Sequence, residues 1–564
     1  MDGNLQFSTV QSNRITGYTP TGRIGIRTGR WTLTASGSGS FTPVALSRFT
    51  ETRGQAGQPL PFAGRSDSKS RTNYGRGHFS AVFDPTPKHT AGFDIEYTER
   101  STHMPTLSRT TLGQTQSDSR YRQHMGGNTL TATANYIWKI DTLGSQFKLI
   151  ADYTRYTSHG DNSYHTTTCA PGTLRDSLYE SATGSVYDIL TADAGLTRKL
   201  PHGLTLRAGL RYTRNGMADD SRYAAQMQGT WQALPEYGYD QHYTEQIGAA
   251  YASLEYSAGR WELSAGLRGE YTSVASQAFG RSYFGLFPNV SVSRALNALR
   301  TWLLVAQWSR NIERPAFPAL NPARIRISDY SWQSGNPSLR PTYIHRFSLT
   351  AVWKYRYTLT VGGNLHHDLI REIAHRDATD PDAVYIRPEN HYTENHWFVA
   401  ASVPAKITRW WNLSVNAVGV MQRIRLNSTD SPATHYLMFA DATCSFTLPA
   451  GFFAEAAYRA QSRLYSGNSE VGPRHTLSAT VKKQLFGKRL TLFCTLSNIT
   501  GCDWEFASLT DGMRRTIDAR QAWSGRLWKA GAAWNFRAGK KFRARTVESA
   551  AETQRKRLVK STEQ

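Results

Sequence analysis

Two-residue alternation of apolar and polar side chains runs through almost the whole chain, in stretches too long for an ordinary sheet. In 203–213, Leu204, Leu206, Ala208, Leu210 and Tyr212 alternate with Thr205, Arg207, Gly209, Arg211 and Thr213. In 261–271, Trp261, Leu263, Ala265, Leu267 and Tyr271 alternate with Glu262, Ser264, Arg268 and Glu270. The same pattern covers 129–138 and closes the series at Trp528, Ala530, Ala532, Trp534 and Phe536. Successive side chains of a strand point to opposite faces, so each run has one apolar face and one polar or charged face. The runs extend for roughly 9 to 13 residues, whereas soluble strands average about 5 to 6 and a tilted strand needs about 9 to 11 to cross a bilayer. Aromatic residues sit near the ends of the apolar faces, as in Trp261 with Tyr271 and Trp302 with Trp308. Girdles of this kind mark the two interfaces of an outer-membrane barrel.

The connections alternate in length. Short ones fall at Thr28-Gly29-Arg30, Pro85–His89, Asp141–Gly144, Pro201-His202, Ala258-Gly259, Leu296–Arg300, Lys354–Arg356, Lys406–Arg409, Pro449-Ala450 and Leu485–Lys488. Gly, Pro, Asn and Asp recur there, as tight hairpins require. Between them lie long polar stretches at about 41–76, 101–125, 157–185, 214–242, 273–283, 312–342, 370–391, 422–435, 460–475 and 498–524, read as loops. Short turns on the periplasmic side and long loops outside are the spacing of an outer-membrane barrel. Ten short turns join twenty strands; 525–537 adds one, and Leu5–Ser12 supplies the first. The expected fold is therefore all-β: a transmembrane antiparallel barrel of about 22 strands over 1–537, with both ends periplasmic.

Composition removes other classes. A length of 564 residues suits about three to four ordinary domains or one large barrel. Aromatics at 12% argue against disorder, and four cysteines exclude a disulfide scaffold. No apolar run reaches 18 residues, so no transmembrane helix is expected. A propeller would show shorter strands and a period of roughly 40 to 50 residues, and no repeated signature appears. The net charge of +23 raises nucleic-acid binding. No such motif appears, and the Lys and Arg are spread through strands and loops. From Arg537 to Gln564 the chain holds nine Lys/Arg and three Glu, which reads as a basic, solvated periplasmic tail over 538–564. The opening Met1-Asp2-Gly3-Asn4 is polar, without the charged and apolar regions of a signal peptide.

Two motifs stand in the stretch 312–342. The first is Glu313-Arg314-Pro315 followed by Leu320-Asn321-Pro322; the second is Gly335-Asn336-Pro337-Ser338-Leu339-Arg340-Pro341. This series resembles the barrel of TonB-dependent receptors of the outer-membrane β-barrel family. Tyr251–Tyr256 with Trp261–Tyr271, the Phe287-Pro288-Asn289 step and the ending Trp534-Asn535-Phe536-Arg537 resemble further parts of the same pattern. The resemblance implies import of a scarce nutrient (an iron chelate, cobalamin, a glycan or a peptide). Outer loops would bind it, and a plug pulled by the TonB complex would gate it. Family members carry a signal peptide and a plug before the barrel. Neither is recognisable here, so the expectation is the barrel portion with its plug missing, and TonB engagement only where a plug is present. The alternatives are a non-gated diffusion pore, a truncated remnant without function, or a soluble binding protein or surface enzyme built on β-sheet.

The candidate residues follow. Arg314, Pro315, Leu320, Asn321, Pro322, Gly335, Asn336, Pro337, Leu339 and Pro341 form the motif of an extracellular loop. Its prolines fix φ and extend the residues before them, so architecture is the favoured role. Arg207, Arg211, Glu262, Arg268, Glu270 and Arg346 fall on the lumen side, where they are expected to pair with a plug. The basic excess fits an acidic plug, phosphate-rich lipopolysaccharide or an anionic substrate; outer-membrane lipid and lipopolysaccharide are the expected surroundings. His366-His367-Asp368 with His391 and His396 lacks the fixed spacing of a zinc site and reads as scattered loop histidines. Cys444 and Cys494 fall on apolar faces, and Cys169 and Cys502 in outer stretches. No G-x-S-x-G, H-E-x-x-H or phosphate-binding glycine loop appears, so no enzyme, cofactor or metal is expected.

Overall fold

The computed structural model describes residues 1–55, 58–277, 279–378, 380, 382–539 and 546–558. Its wall is a closed antiparallel barrel of 22 strands. The first nine are β1 (Asp2–Gln11), β2 (Ile15–Thr28), β3 (Trp31–Gln55), β4 (Gln58–Thr86), β5 (His89–Leu112), β6 (Thr115–Lys139), β7 (Gln146–Ala170), β8 (Thr173–Lys199) and β9 (Leu204–Met227). Then come β10 (Tyr239–Ala258), β11 (Trp261–Ser276), β12 (Gly280–Ala295), β13 (Trp302–Glu313), β14 (Thr342–Trp353), β15 (Tyr357–Arg376) and β16 (Val384–Lys406). The last are β17 (Trp411–Arg425), β18 (Ala433–Leu448), β19 (Phe452–Gln461), β20 (Arg474–Leu485), β21 (Leu490–Ser497) and β22 (Leu527–Arg537). Pairing of β1 with β22, from Asp2↔Arg537 to Gln11↔Trp528, closes the circle and leaves no edge in the membrane.

The barrel is inverted relative to a soluble protein. Leu210 is 65% exposed and Leu254 46%, whereas Thr191 and Thr154 are fully buried. Apolar side chains cover the outside, and small polar ones line the lumen wall, where Thr133 donates to Asp152 at 2.6 Å. Exposed leucines at this density cost nothing only where lipid replaces water. Ring pairs mark the periplasmic edge of the apolar band: Trp31–Phe83 at 4.5 Å, Trp302–Trp353 at 5.7 Å and Trp410–Phe446 at 5.9 Å. All ten expected short turns join consecutive strands at this end. Cys444 and Cys494 lie on the lipid side, and all four cysteines are free.

The long polar stretches are a correction to the sequence reading. The described residues of 41–76 are paired strands, and 101–125 and 157–185 are continuous hairpins, paired to Leu112↔Thr115 in one and Ala170↔Thr173 in the next. Strands β3 to β9 run 24 to 29 residues and stand well above the membrane. Above the lipid both faces meet water, so the apolar–polar alternation that signals a strand disappears although the ladder continues.

The candidate site at the outer mouth

The stretch between β13 and β14 does not project outward. It folds into the lumen and lines its upper part. Pro318 starts a single helical turn, Phe317–Leu320, whose two buried residues are Phe317 and Leu320. They join Leu339 and the inward-facing Tyr187, Ile189, Met217, Tyr243 and Val274 in one buried cluster. This apolar cluster, inside an otherwise polar lumen, is what holds the loop down.

The two motifs pack on each other. The Asn336 N–H donates to the Ala319 carbonyl at 2.7 Å. A Cβ at Gly335 would strike the Asn321 carbonyl and lie 2.8 Å from that of Ala319, so only glycine allows the approach. Asn321 turns its own backbone by accepting from the Ala323 N–H at 2.9 Å, and Asn336 does the same with Ser338 at 3.0 Å. Asn336 also donates to the Pro388 carbonyl at 3.0 Å, fixing the loop to β16. Pro315, Pro322, Pro337 and Pro341 set the extended corners between these contacts.

Arg314 anchors the start of the loop. Its guanidinium donates to Glu270 at 2.7 Å and to Thr272 at 2.8 Å, and Glu245 lies 3.9 Å away. Arg340 anchors the end, 2.6 Å from Asp368. One of the expected lumen charges, Glu270, therefore serves this loop. The others pair along the wall: Arg211 with Asp193 at 2.8 Å, Arg268 with Glu270 at 2.5 Å, and Arg207 with Glu255. Arg207, Arg211, Arg268 and Glu270 have partners on the chain's own strands and loop. Glu262 and Arg346 stand on lumen-facing positions and are exposed.

Between the motifs, Ile325–Ser328 and Ser331–Gln333 form a small hairpin that crosses the mouth. One side runs parallel to β16 at Val384–Ile386. Its tip reaches the opposite wall, where Asp329 accepts from Ser119 at 2.6 Å, Tyr121 at 2.8 Å and Thr166 at 3.2 Å. Beside the tip, Glu51 takes Arg515 at 2.8 Å and Arg53 at 2.9 Å, and Arg515 also donates to Ser331 at 2.9 Å. Burial pushes the Glu51 carboxyl up, but Arg515 and then Arg53 pull harder and leave it below its ordinary value. A cavity of about 280 Å³ opens here, lined by Phe49, Phe62, Tyr121, Ile325, Ile327 and Ile517 with Arg326 and Arg515 at its polar side. Ile325 and Ile327 are 43% and 45% exposed, apolar groups held at the entrance by the hairpin.

The model of the outer membrane protein beta-barrel family matches residues 138–528. The chain belongs to that family. Its place is the outer membrane. No curated protein matches it. Among solved structures, the siderophore receptor PirA from Pseudomonas aeruginosa is similar at a TM-score of 0.57 and 12% identity, over 95% of this chain and 80% of that one. The outer membrane transporter YddB from Escherichia coli gives 0.59 and 9% over 95% and 81%. The copper transporter OprC gives 0.58 and 12% over 95% and 82%. At these identities the likeness establishes a shared fold.

Within this family barrel, residues that the sequence reading passed over do much of the joining. Glu51, Arg53, Asp329 and Arg515 carry no motif and no local signal. Their partners lie as far apart as Glu51 and Arg515, 464 positions along the chain. The histidines are also corrected. His366 and His396, read as scattered, lie on paired strands with rings 5.0 Å apart. His396 is 2.9 Å from the buried Glu394, and His391 is 3.4 Å from it. Among the described residues no group of three His, Cys, Asp or Glu is arranged to hold a metal ion.

Proposed function

We propose that the chain is the barrel of an outer-membrane import receptor of the TonB-dependent type, without chemistry of its own, that binds a scarce nutrient at its outer mouth. The observation that carries this reading is the inward-folded loop. A non-selective pore needs an open path, yet here 314–341 packs against the inner wall and its hairpin crosses the entrance. A mouth cavity that combines exposed isoleucines, aromatic rings and arginines suits a ligand with apolar or aromatic surface and negative charge. The siderophore and copper proteins of similar fold make iron chelates and copper the first ligands to test.

The test is titration of the purified barrel with a ferric catechol chelate, copper(II) and cobalamin, each repeated on Ile327→Asp. Saturable binding of one of them, weakened by the substitution, is the expected result. No binding together with a steady, large current in a planar bilayer would replace the receptor by a diffusion pore.

A further inference from the structure

The described residues beyond Gly539, 546–558, lie inside the lumen. Residues 546–558 climb the inner wall from the periplasmic rim to the mouth loop. At the bottom, a methyl of Val547 lies 2.9 Å from where a Cβ on Gly92 would stand, three residues into β5. Next, Glu548 pairs with Lys148 of β7 at 2.7 Å, and the Ala550 N–H donates to Asp152 at 2.7 Å. Higher up, Asn215 of β9 donates to Gln554 at 3.2 Å. At the top, Arg557 donates to the Pro315 carbonyl at 3.0 Å and pairs with Glu245 of β10. Its guanidinium lies 4.3 Å from the centroid of the Phe317 ring. Leu558 packs on the cluster that holds the mouth loop.

The expected solvated tail is thus corrected for these residues. Arg557 is only 6% exposed. A guanidinium leaves water at this level only where acceptors replace the lost hydration. Glu245, the Pro315 carbonyl and the Phe317 face meet the guanidinium as a carboxylate, a dipole and a π surface, and Gln554 of the same segment accepts from it at 2.9 Å.

We propose that the lumen contains an arginine-recognition site made by Glu245, the Pro315 carbonyl and Phe317. The C-terminal segment 546–558 occupies it as an internal strap that latches the mouth loop from below. The site tolerates departure of the strap. Glu245 keeps a hydrogen bond from Asn215 at 2.8 Å and has Arg314 at 3.9 Å, so removing Arg557 does not strand a bare buried carboxylate. Two arrangements are therefore available, strap in and strap out, and the second frees the carbonyl and ring at the root of the loop. A ligand presenting a guanidinium would compete for the same place. This inference stands apart from the transported nutrient, since it concerns the chain's own contacts.

The experiment uses the full chain in lipid bilayers. Gly92→Cys with Val547→Cys puts the two new side chains in reach of each other, since a Val547 methyl already lies 2.9 Å from a Cβ built on Gly92, once the Asn135 side chain turns aside. Mild oxidation is expected to link them within one chain, with a low current that rises on reduction. Arg557→Ala, with no cysteines added, is expected to raise the current and to expose the loop around 321–341 to protease. Free L-arginine, in excess, is expected to raise the current of the unmodified chain toward that of Arg557→Ala. Absence of the cross-link in barrels that have folded and inserted would overturn the proposal. If the cysteine pair fails to insert, the proposal falls when Arg557→Ala matches the unmodified chain in current and in cleavage.

Discussion

The two halves of the wall solve the space above the membrane differently. On one side, β3 to β9 are strands of 24 to 29 residues that continue outward, with one hairpin closed by the two-residue turn Pro171-Gly172. On the other, β19 to β22 have only 8 to 12 residues and stop near the lipid. The tall side satisfies its backbone within its own ladder. The low side cannot, so its loops seek partners elsewhere. The strand Met513–Arg520 pairs with Arg48–Gln55 of β3, above the point where β2 ends at Ile15↔Ala45. A free edge of the tall wall is thereby covered by chain from the low side, which removes an edge open to foreign strands. Height comes from local pairing, whereas closure of the mouth comes from contacts between distant segments.

If that contrast is right, damage to the inward loop should exceed damage to the tall hairpins. Arg314→Ala should have the largest effect, because it removes a buried cation from Glu270 and Glu245; about 3 to 5 kcal/mol of local stability is at stake. Hydrogen exchange should show 314–341 opening while β5 to β8 stay protected. Equal protection in the loop would mean that the inward loop and the tall hairpins are held alike.

Acid should act next, through Glu51. Its folded pKa lies below the ordinary 4.5, so its contribution is present above that value and fades as the pH falls through the folded one. Protease accessibility of 504–520 should therefore rise below about pH 4.5, and Glu51→Gln should be accessible already at neutral pH. A flat profile in the parent would remove Glu51 from the closure.

The tall side should respond weakly. Gly172 sits at φ 76°, where a side chain is strained, so Gly172→Ala should cost about 1 kcal/mol and loosen only the hairpin tip. Smallest of all is Arg109→Ala. Its pair with Asp118 at 2.6 Å is open to water on the outer face, and no change in melting is expected. A large effect at either place would mean that the tall wall also supports the mouth.

Much of the barrel was legible because its signals are local. Leu204 to Thr213 declare one face for lipid and one for the lumen within ten residues, and Gly29, Gly144 and Gly259 mark turns without reference to anything distant. The reading failed where the solvent is the same on both faces. Residues 101–125 are polar on each side, so they look like a loop although every residue from Thr98 to Leu112 has a ladder partner. In the candidate site, Arg314 and Gly335 were visible as motif residues, and the extended corners could be assigned to proline. Their purpose was not visible, because Gly335 is required by the carbonyls of Ala319 and Asn321, which reach it only after the loop turns back.

Local pattern alone sets the strand number, the short turns, the orientation in the membrane and which face meets lipid. Each follows from the two-residue period and from turn chemistry, which act between near neighbours. The closed barrel brings the motif loop into the lumen, Glu51 to Arg515, and Arg557 to Glu245 and Pro315. Those choices depend on which inward-facing side chains arrive at the same height once 22 strands have closed. A pattern with a period of two fixes the face of a residue, but not its partner across the lumen.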